Sequence, residues 1–200
     1  MVKFVYLASQ SPRRRQLLEQ LNVRYELLLP DGSEDAEALE RVLPNEAPAV
    51  YVKRVTGLKL DAALARLAMR QLPPAPILCS DTAVALGRII YGKPNDPEDA
   101  ERMLTELSGR THRVLTAVSV QCGLQRFQAL STSRVSLEPM TSHQISRYVA
   151  TGESLGKAGA YAIQGRVSMH ITRIDGSYSG IMGLPLWETA TLLRAAGLDI

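Results

Sequence analysis

The chain has 200 residues, of which 46% are hydrophobic and 22% charged, and it carries a net charge of +3 at pH 7. That is enough apolar mass for one sizeable core. The mild charge and the low aromatic content, 5%, exclude the dense basic surface or base-stacking platform of a dedicated nucleic-acid binder. In chain order, "KFVYLAS" (3–9) reads as a buried strand, followed by a helix from Ser11 to Leu21 with Ser11 as cap and Pro12 as first helical residue. The acidic, turn-rich stretch 30–48 reads as a loop or flap. A long helix is predicted from Pro48, weakened at Gly57 and ended by "QLPPAP" (71–76). Residues 77–94 are β-rich, with a hairpin turn at Gly87-Arg88. The segment 95–109 is a helix that Asp96 caps, Pro97 opens and Gly109 stops. Strands at 112–122 and 127–140 flank a turn at Gly123. A helix from Thr141 to Ala150, a strand at 167–175 and a helix from Pro185 to Ala196 complete the chain. The order β-α-α-β-β-α-β-β-α-β-α, with hairpins among the helices, predicts one α/β domain over 1–200 built on a mixed sheet.

Cys79 and Cys122 stand at no metal or redox spacing and read as reduced thiols of a cytoplasmic protein. The run "FVYLA" is too short for a signal-peptide core, and no stretch reaches the length that spans a bilayer.

The stretch "LASQSPRRRQLL" raises a question of charge. Arg13, Arg14 and Arg15 fall in the first helical turn, where the dipole is already positive and cations are disfavoured. A strand, a short turn and a helix start make an anion cradle. Ser9 and Ser11 add hydroxyl donors, and the guanidinium fork suits phosphate oxygens. The plainer alternative is a solvated basic face. No Gly-rich phosphate loop or dinucleotide fingerprint is present.

In "SDTAV", Asp81 lies between two apolar runs, where a lone carboxylate is costly. It reads either as an aspartate tied to nearby backbone or as a general base or metal ligand. Lys93, just past the hairpin, can return toward Asp81 or toward a phosphate. Lys59 on the long helix reads as solvated. His112, His143 and His170 are scattered without ligand spacing. The small residues of "KAGAYAIQG" (157–165) suit either close backbone approach to a ligand or a tight packing turn, and Gln164 can donate to and accept from a base edge. "GSYSGIMGLPLWE" (176–188) is Gly-rich and ends in a Pro-started helix.

Taken in order, "LASQSPRRRQLL", "YVKRVTGLK", "SDTAV", "GKPNDPEDAERMLTELSGRTHRVLTAV", "KAGAYAIQG" and "IDGSYSGIMGLPLWET" resemble the Maf family of nucleoside triphosphate pyrophosphatases, from residue 7 to 189. The resemblance implies an α/β fold, related to inosine triphosphatases, with a long mixed sheet flanked by helices and a cleft between two lobes. It implies hydrolysis between the α and β phosphates to a monophosphate and pyrophosphate, with a divalent cation, Mg²⁺ or Mn²⁺, whose ligands are left open. Asp81 falls on the family's proton acceptor. Arg13, Thr82 and Gln164 fall on the positions that separate subfamilies and look like the branch acting on dTTP and UTP, with Thr82 and Gln164 pairing to the pyrimidine edge. Ser9, Ser11, Arg14, Lys59 and Lys93 fall on phosphate-binding positions. Gly156 stands where the family usually has aspartate, and the acid expected before the long helix is Glu34 or Asp35. The implied partner is a small-molecule nucleotide, with a homodimer left open and no stable nucleic acid or membrane partner. Two alternatives stay open, the same chemistry on a methylated guanine nucleotide and a non-catalytic regulator that binds nucleotide or nucleic acid.

Overall fold

In a computed structural model of the chain, which describes residues 4–31, 34 and 38–200, three buried residues form β1 (Val5–Leu7). Pro12 and Leu17-Leu18 then start and bury α1 (Pro12–Gln20). The chain returns as β2 (Tyr25–Leu27), parallel to β1. The long α2 (Pro48–Met69) crosses over to β3 (Ile77–Leu86), also parallel to β1, because parallel neighbours require a crossover connection. From there the chain proceeds by hairpins. β4 (Ile89–Tyr91) and β5 (Thr111–Cys122), either side of α3 (Pro97–Leu107), both pair antiparallel with β3, and β6 (Gln125–Leu137) and β7 (Ile171–Asp175) extend the sheet. α4 (Ser142–Val149), α5 (Tyr178–Met182) and α6 (Leu186–Ala195) complete the helices. The sheet has seven strands in the order β2-β1-β3-β5-β6-β7, with β4 pairing β3 off that path, so the expected mixed sheet is present.

Alternation along β3 assigns its side chains to two layers. Ile77, Cys79, Ala83 and Ala85 pack beneath α2 with Tyr51, Val52, Val55, Leu60 and Ala63. Leu78 faces the opposite layer, where Leu17 and Leu18 of α1 meet Leu192 and Leu193 of α6. Val84 enters a third cluster with α3 and α4. Asp81 is thus in phase with the α2 layer, and Ser80 and Thr82 with the other.

One feature of the topology opens the site. β5 runs along one edge of β3 from Ile77 to Ala85. On the other edge β1 covers Ile77 and Leu78, and β4 covers Val84 to Leu86. Between them residues 79–83 have, among the described residues, no strand partner on that edge, and side chains from both faces of β3 line one cleft.

The strand read at 127–140 spans Gln125–Leu137 instead, and three further points differ from the sequence reading. β2 is unpredicted because it is three residues long and largely exposed. Residues 167–170 belong to a 3₁₀ helix (Arg166–His170), not a strand, and only Ile171–Asp175 extends the sheet. The five-residue α5 lies in a stretch too Gly-rich to show a helical period. No described helix is long and apolar enough to cross a membrane.

Candidate active site

All nine predicted site residues line a single cleft of about 710 Å³: Ser9, Ser11, Arg13, Arg14, Lys59, Asp81, Thr82, Lys93 and Gln164. Arg14 Nε donates to the Gly183 carbonyl at 2.8 Å, and Arg13 Nε reaches the Met182 carbonyl at 3.4 Å. These carbonyls close the C-terminal end of α5. The cations sit at the wrong end of their own helix but against the negative end of another. Arg14 also donates to Ser9 Oγ at 3.2 Å and to Thr82 Oγ1 at 3.5 Å. Ser11 stands at the N-cap of α1 as read, but makes no side-chain cap bond; its backbone N–H donates to Ser9 Oγ at 3.2 Å.

Lys157 lines the same end of the cleft, its ammonium bound among the described residues only to the Leu155 carbonyl. No carboxylate pairs within 4.0 Å with Arg13, Arg14 or Lys157 among the described residues. Burial, and then the neighbouring cation, pulls the pKa of Arg13 and of Lys157 down. Burial lowers that of Arg14 too, against an opposing pull from Asp81. Crowded, unneutralised cations in a half-buried cleft are strained until an anion joins them.

The other end is neutral. Asp81 stands mid-strand on β3, 7% exposed. Its Oδ1 accepts from Lys59 Nζ at 2.5 Å. Lys59 therefore is not the solvated lysine of the sequence reading. It also donates to Glu40 Oε1 at 2.7 Å, and Lys93 lies 3.0 Å from Glu40 Oε2. Lys93 thus returns to the cleft on Glu40 rather than on Asp81. Glu40 closes a one-turn 3₁₀ helix (Ala38–Glu40), and its two lysines hold its carboxyl below the usual range against the opposing effect of burial. Sequence reasoning missed Glu40, whose turn-rich surroundings give no period. Of the two acids expected there, Asp35 lies outside the described residues, and Glu34 is bound to Arg66 through Nε at 2.7 Å and Nη2 at 2.5 Å.

At the recognition end, Thr116 Oγ1 donates to the Gly180 carbonyl at 2.7 Å and lies 2.9 Å from Thr82 Oγ1. A hydroxyl has one proton, so Thr82 donates to Thr116 and keeps only acceptor capacity for a base. Gln164 is exposed at the cleft with no hydrogen-bond partner among the described residues. The small residues of "KAGAY" serve packing. Gly159, at φ +70°, lies so close to β3 that a Cβ there would stand 2.8 Å from Val84. Gly156, at φ +67°, has open space where the usual aspartate's side chain would stand.

Tyr161 joins this loop to β5 through His112, with Nε2 to Oη at 2.7 Å. His112 is 1% exposed, and burial pulls its pKa from 6.5 down to about 4. The unfolded chain therefore binds a proton that the folded chain refuses between these values, and stability falls as pH drops from 6.5 toward 4. The loss approaches roughly 3 kcal/mol. Urea unfolding between pH 7 and 5 is expected to show the first part of it, and a His112→Gln variant to be flatter over the same window.

A cleft with Asp81 and Glu40 held by ammoniums at one end and, among the described residues, a bank of cations without a carboxylate partner at the other is that of an α/β protein built to receive a polyanion. The chain belongs to the Maf-like protein family, whose profile matches residues 4–196. It is 69% identical over 98% of its length to the dTTP/UTP pyrophosphatase of Polaromonas sp. strain JS666, covering 98% of that protein. It is 66% identical over the full length of both chains to the dTTP/UTP pyrophosphatase of Albidiferax ferrireducens. The solved structure of the Staphylococcus aureus Ham1 protein overlaps at a TM-score of 0.45 and 12% identity, over 96% of this chain and 97% of that one, too slight a likeness to carry anything over.

Proposed function

We propose that this chain hydrolyses dTTP and UTP, and by extension modified pyrimidine nucleotides, to the monophosphate and pyrophosphate by attack of water at the α-phosphorus. The observation that carries the reading is the meeting of Asp81 with Lys59, Lys93, Arg13 and Arg14 in one cleft, in a chain whose full-length relatives bear that activity in their names. Lys59 fixes Asp81 through Oδ1. Oδ2 has no hydrogen-bond partner among the described residues and is the atom that orients the attacking water and takes its proton. Arg14, Lys59 and Lys93 oppose charge that grows on the phosphates, where most of the catalysis of such transfers resides. Arg13 and Gln164 select the base, and Thr82 does so as an acceptor and by steadying Arg14.

The resemblance also implies a divalent cation. Among the described residues no three acidic, His or Cys side chains converge as a cage. The cleft nevertheless offers the oxygen donors that Mg²⁺ accepts when substrate phosphates complete its shell; Asp81 would hold it through Oδ2 and position the coordinated water, in place of taking the water's proton itself. When bound, the cation would screen phosphate charge and acidify a coordinated water. Free thiols at Cys79 and Cys122 support a cytoplasmic setting.

The experiment is pyrophosphate release from a panel of nucleoside triphosphates, with and without Mg²⁺ or Mn²⁺. Metal-dependent release from dTTP and UTP, and little from purine nucleotides, is expected. Preference for a guanine nucleotide would overturn the roles of Arg13, Thr82 and Gln164. Binding without turnover would make the chain a regulator.

A further inference from the structure

The two lysines read as phosphate ligands are already neutralised, by Asp81 together with a residue that no motif singled out. Around the catalytic end stand two ammoniums, Lys59 and Lys93, and two carboxylates, Asp81 and Glu40, linked Asp81–Lys59–Glu40–Lys93 at 2.5, 2.7 and 3.0 Å. Glu40 is not there by accident of a loose loop. Tyr51 Oη donates to the Glu40 carbonyl at 2.9 Å. The next residue is fastened as well, since Arg54 donates to the Arg41 carbonyl at 2.8 Å while bound to Glu46. The backbone is anchored to α2, and the side chain spans from one lysine to the other. Its side chain is 26% exposed and that of Lys93 45%, so the outer pair is screened by solvent and easily exchanged.

We propose that Glu40 is the internal counter-ion of the phosphate cradle. Its carboxylate holds Lys59 and Lys93 where a substrate phosphate binds, and binding exchanges one anion for the other. The proposal rests on the reading of these lysines as phosphate-binding. A carboxylate and a phosphate oxygen offer an ammonium the same charge-assisted acceptor, so the lysines stay placed whichever anion is present. Glu40 therefore weakens polyphosphate binding, and it competes with pyrophosphate for the site after the reaction. Asp81 keeps its bond to Lys59 in either arrangement, so the exchange leaves the attacking end in register.

The test is calorimetric titration of inorganic pyrophosphate into the full chain at fixed ionic strength, in EDTA and again in Mg²⁺, with Glu40→Gln, Lys59→Gln and Lys93→Gln. Glu40→Gln is expected to tighten pyrophosphate about five- to tenfold in EDTA, the scale of one unit charge a few ångströms from the anion in a watery dielectric. It should lower KM for dTTP in parallel, while Lys93→Gln loosens both. Unchanged or looser binding in Glu40→Gln, with Lys93→Gln still loosening, would overturn the proposal and leave Glu40 a structural tie. Looser binding that appears only in Mg²⁺ would overturn it in favour of a cation ligand. If neither lysine variant alters pyrophosphate binding, the phosphate reading of those lysines itself is wrong. Should Glu40→Gln fail to fold, Glu40→Asp withdraws the charge by one methylene and is expected to tighten binding about twofold; no change there would overturn the proposal equally.

Discussion

Asp81→Asn is expected to lower kcat for dTTP about 10³-fold, within the range that a positioned general base contributes, while leaving KM unchanged or lower. The split follows from the site's charges. Asparagine keeps an oxygen that can accept from Lys59, which also retains Glu40, so the pocket holds its shape. What disappears is the carboxylate oxygen that can take a proton. The pocket also loses one negative charge, which favours a polyanion in the ground state. Pyrophosphate release under saturating dTTP measures kcat, and calorimetric binding of pyrophosphate checks that the site survives. A fall of less than tenfold would remove Asp81 from the proton-transfer role. An equal loss of binding and turnover would mean that it serves the structure instead.

Much of this site is legible in the sequence because its parts sit at well-punctuated places. Asp96 accepts from the Asp99 N–H as its cap reading requires, and Gly109 stands at φ +69° past the end of α3. The strands and turns that carry Asp81 and Lys93 follow from such markers, and the motif order places Arg13, Arg14 and Gln164. What is not legible depends on tertiary partners. Nothing in "PRRR" shows that its charges will meet the carbonyl end of a five-residue helix some 169 residues away. Nothing in "EALERV" marks Glu40 as the partner of two distant lysines. Local pattern reports which face of an element is apolar, not which element will lie across from it. The gap at 79–83 is of the same kind, since it exists only because β1 ends and β4 begins on one edge of β3. The histidine reading shows both sides. His112 is a core residue, a choice between core and surface that its scattered spacing leaves open, and its bond to the cleft residue Tyr161 is visible only once β5 and the "KAGAY" loop are brought together.

Arg14→Met is expected to cost most of the activity without lowering stability, a combination that a structural arginine could not give. Each acceptor that Arg14 serves has a second partner. Ser80 Oγ lies 2.9 Å from both Gly183 O and Ala117 O, and its one proton can serve Gly183 because Ala117 is already paired in the ladders of β5; Ser9 Oγ accepts from the Ser11 N–H, and Thr82 Oγ1 donates to Thr116. Removing the guanidinium therefore orphans no buried acceptor, and no carboxylate within 4.0 Å loses a partner among the described residues. It also relieves the repulsion that Arg13 suffers from its neighbour. Replacing a buried charge by an apolar side chain of similar length is commonly neutral or stabilising, so Tm should stay or rise by a few degrees. Activity should go the other way, with kcat/KM for dTTP falling at least about 10²-fold, because a preorganised charge that acts on the transition state in a half-buried cleft is worth several kcal/mol. Arg14→Lys is expected to recover only part of that loss, since an ammonium cannot reproduce the fork that now reaches Gly183, Ser9 and Thr82 together. Thermal unfolding beside steady-state kinetics measures both arms. A Tm that falls with activity would show Arg14 to be part of the scaffold, whereas a rise in Tm with lost turnover would show that the cation is kept for the phosphate.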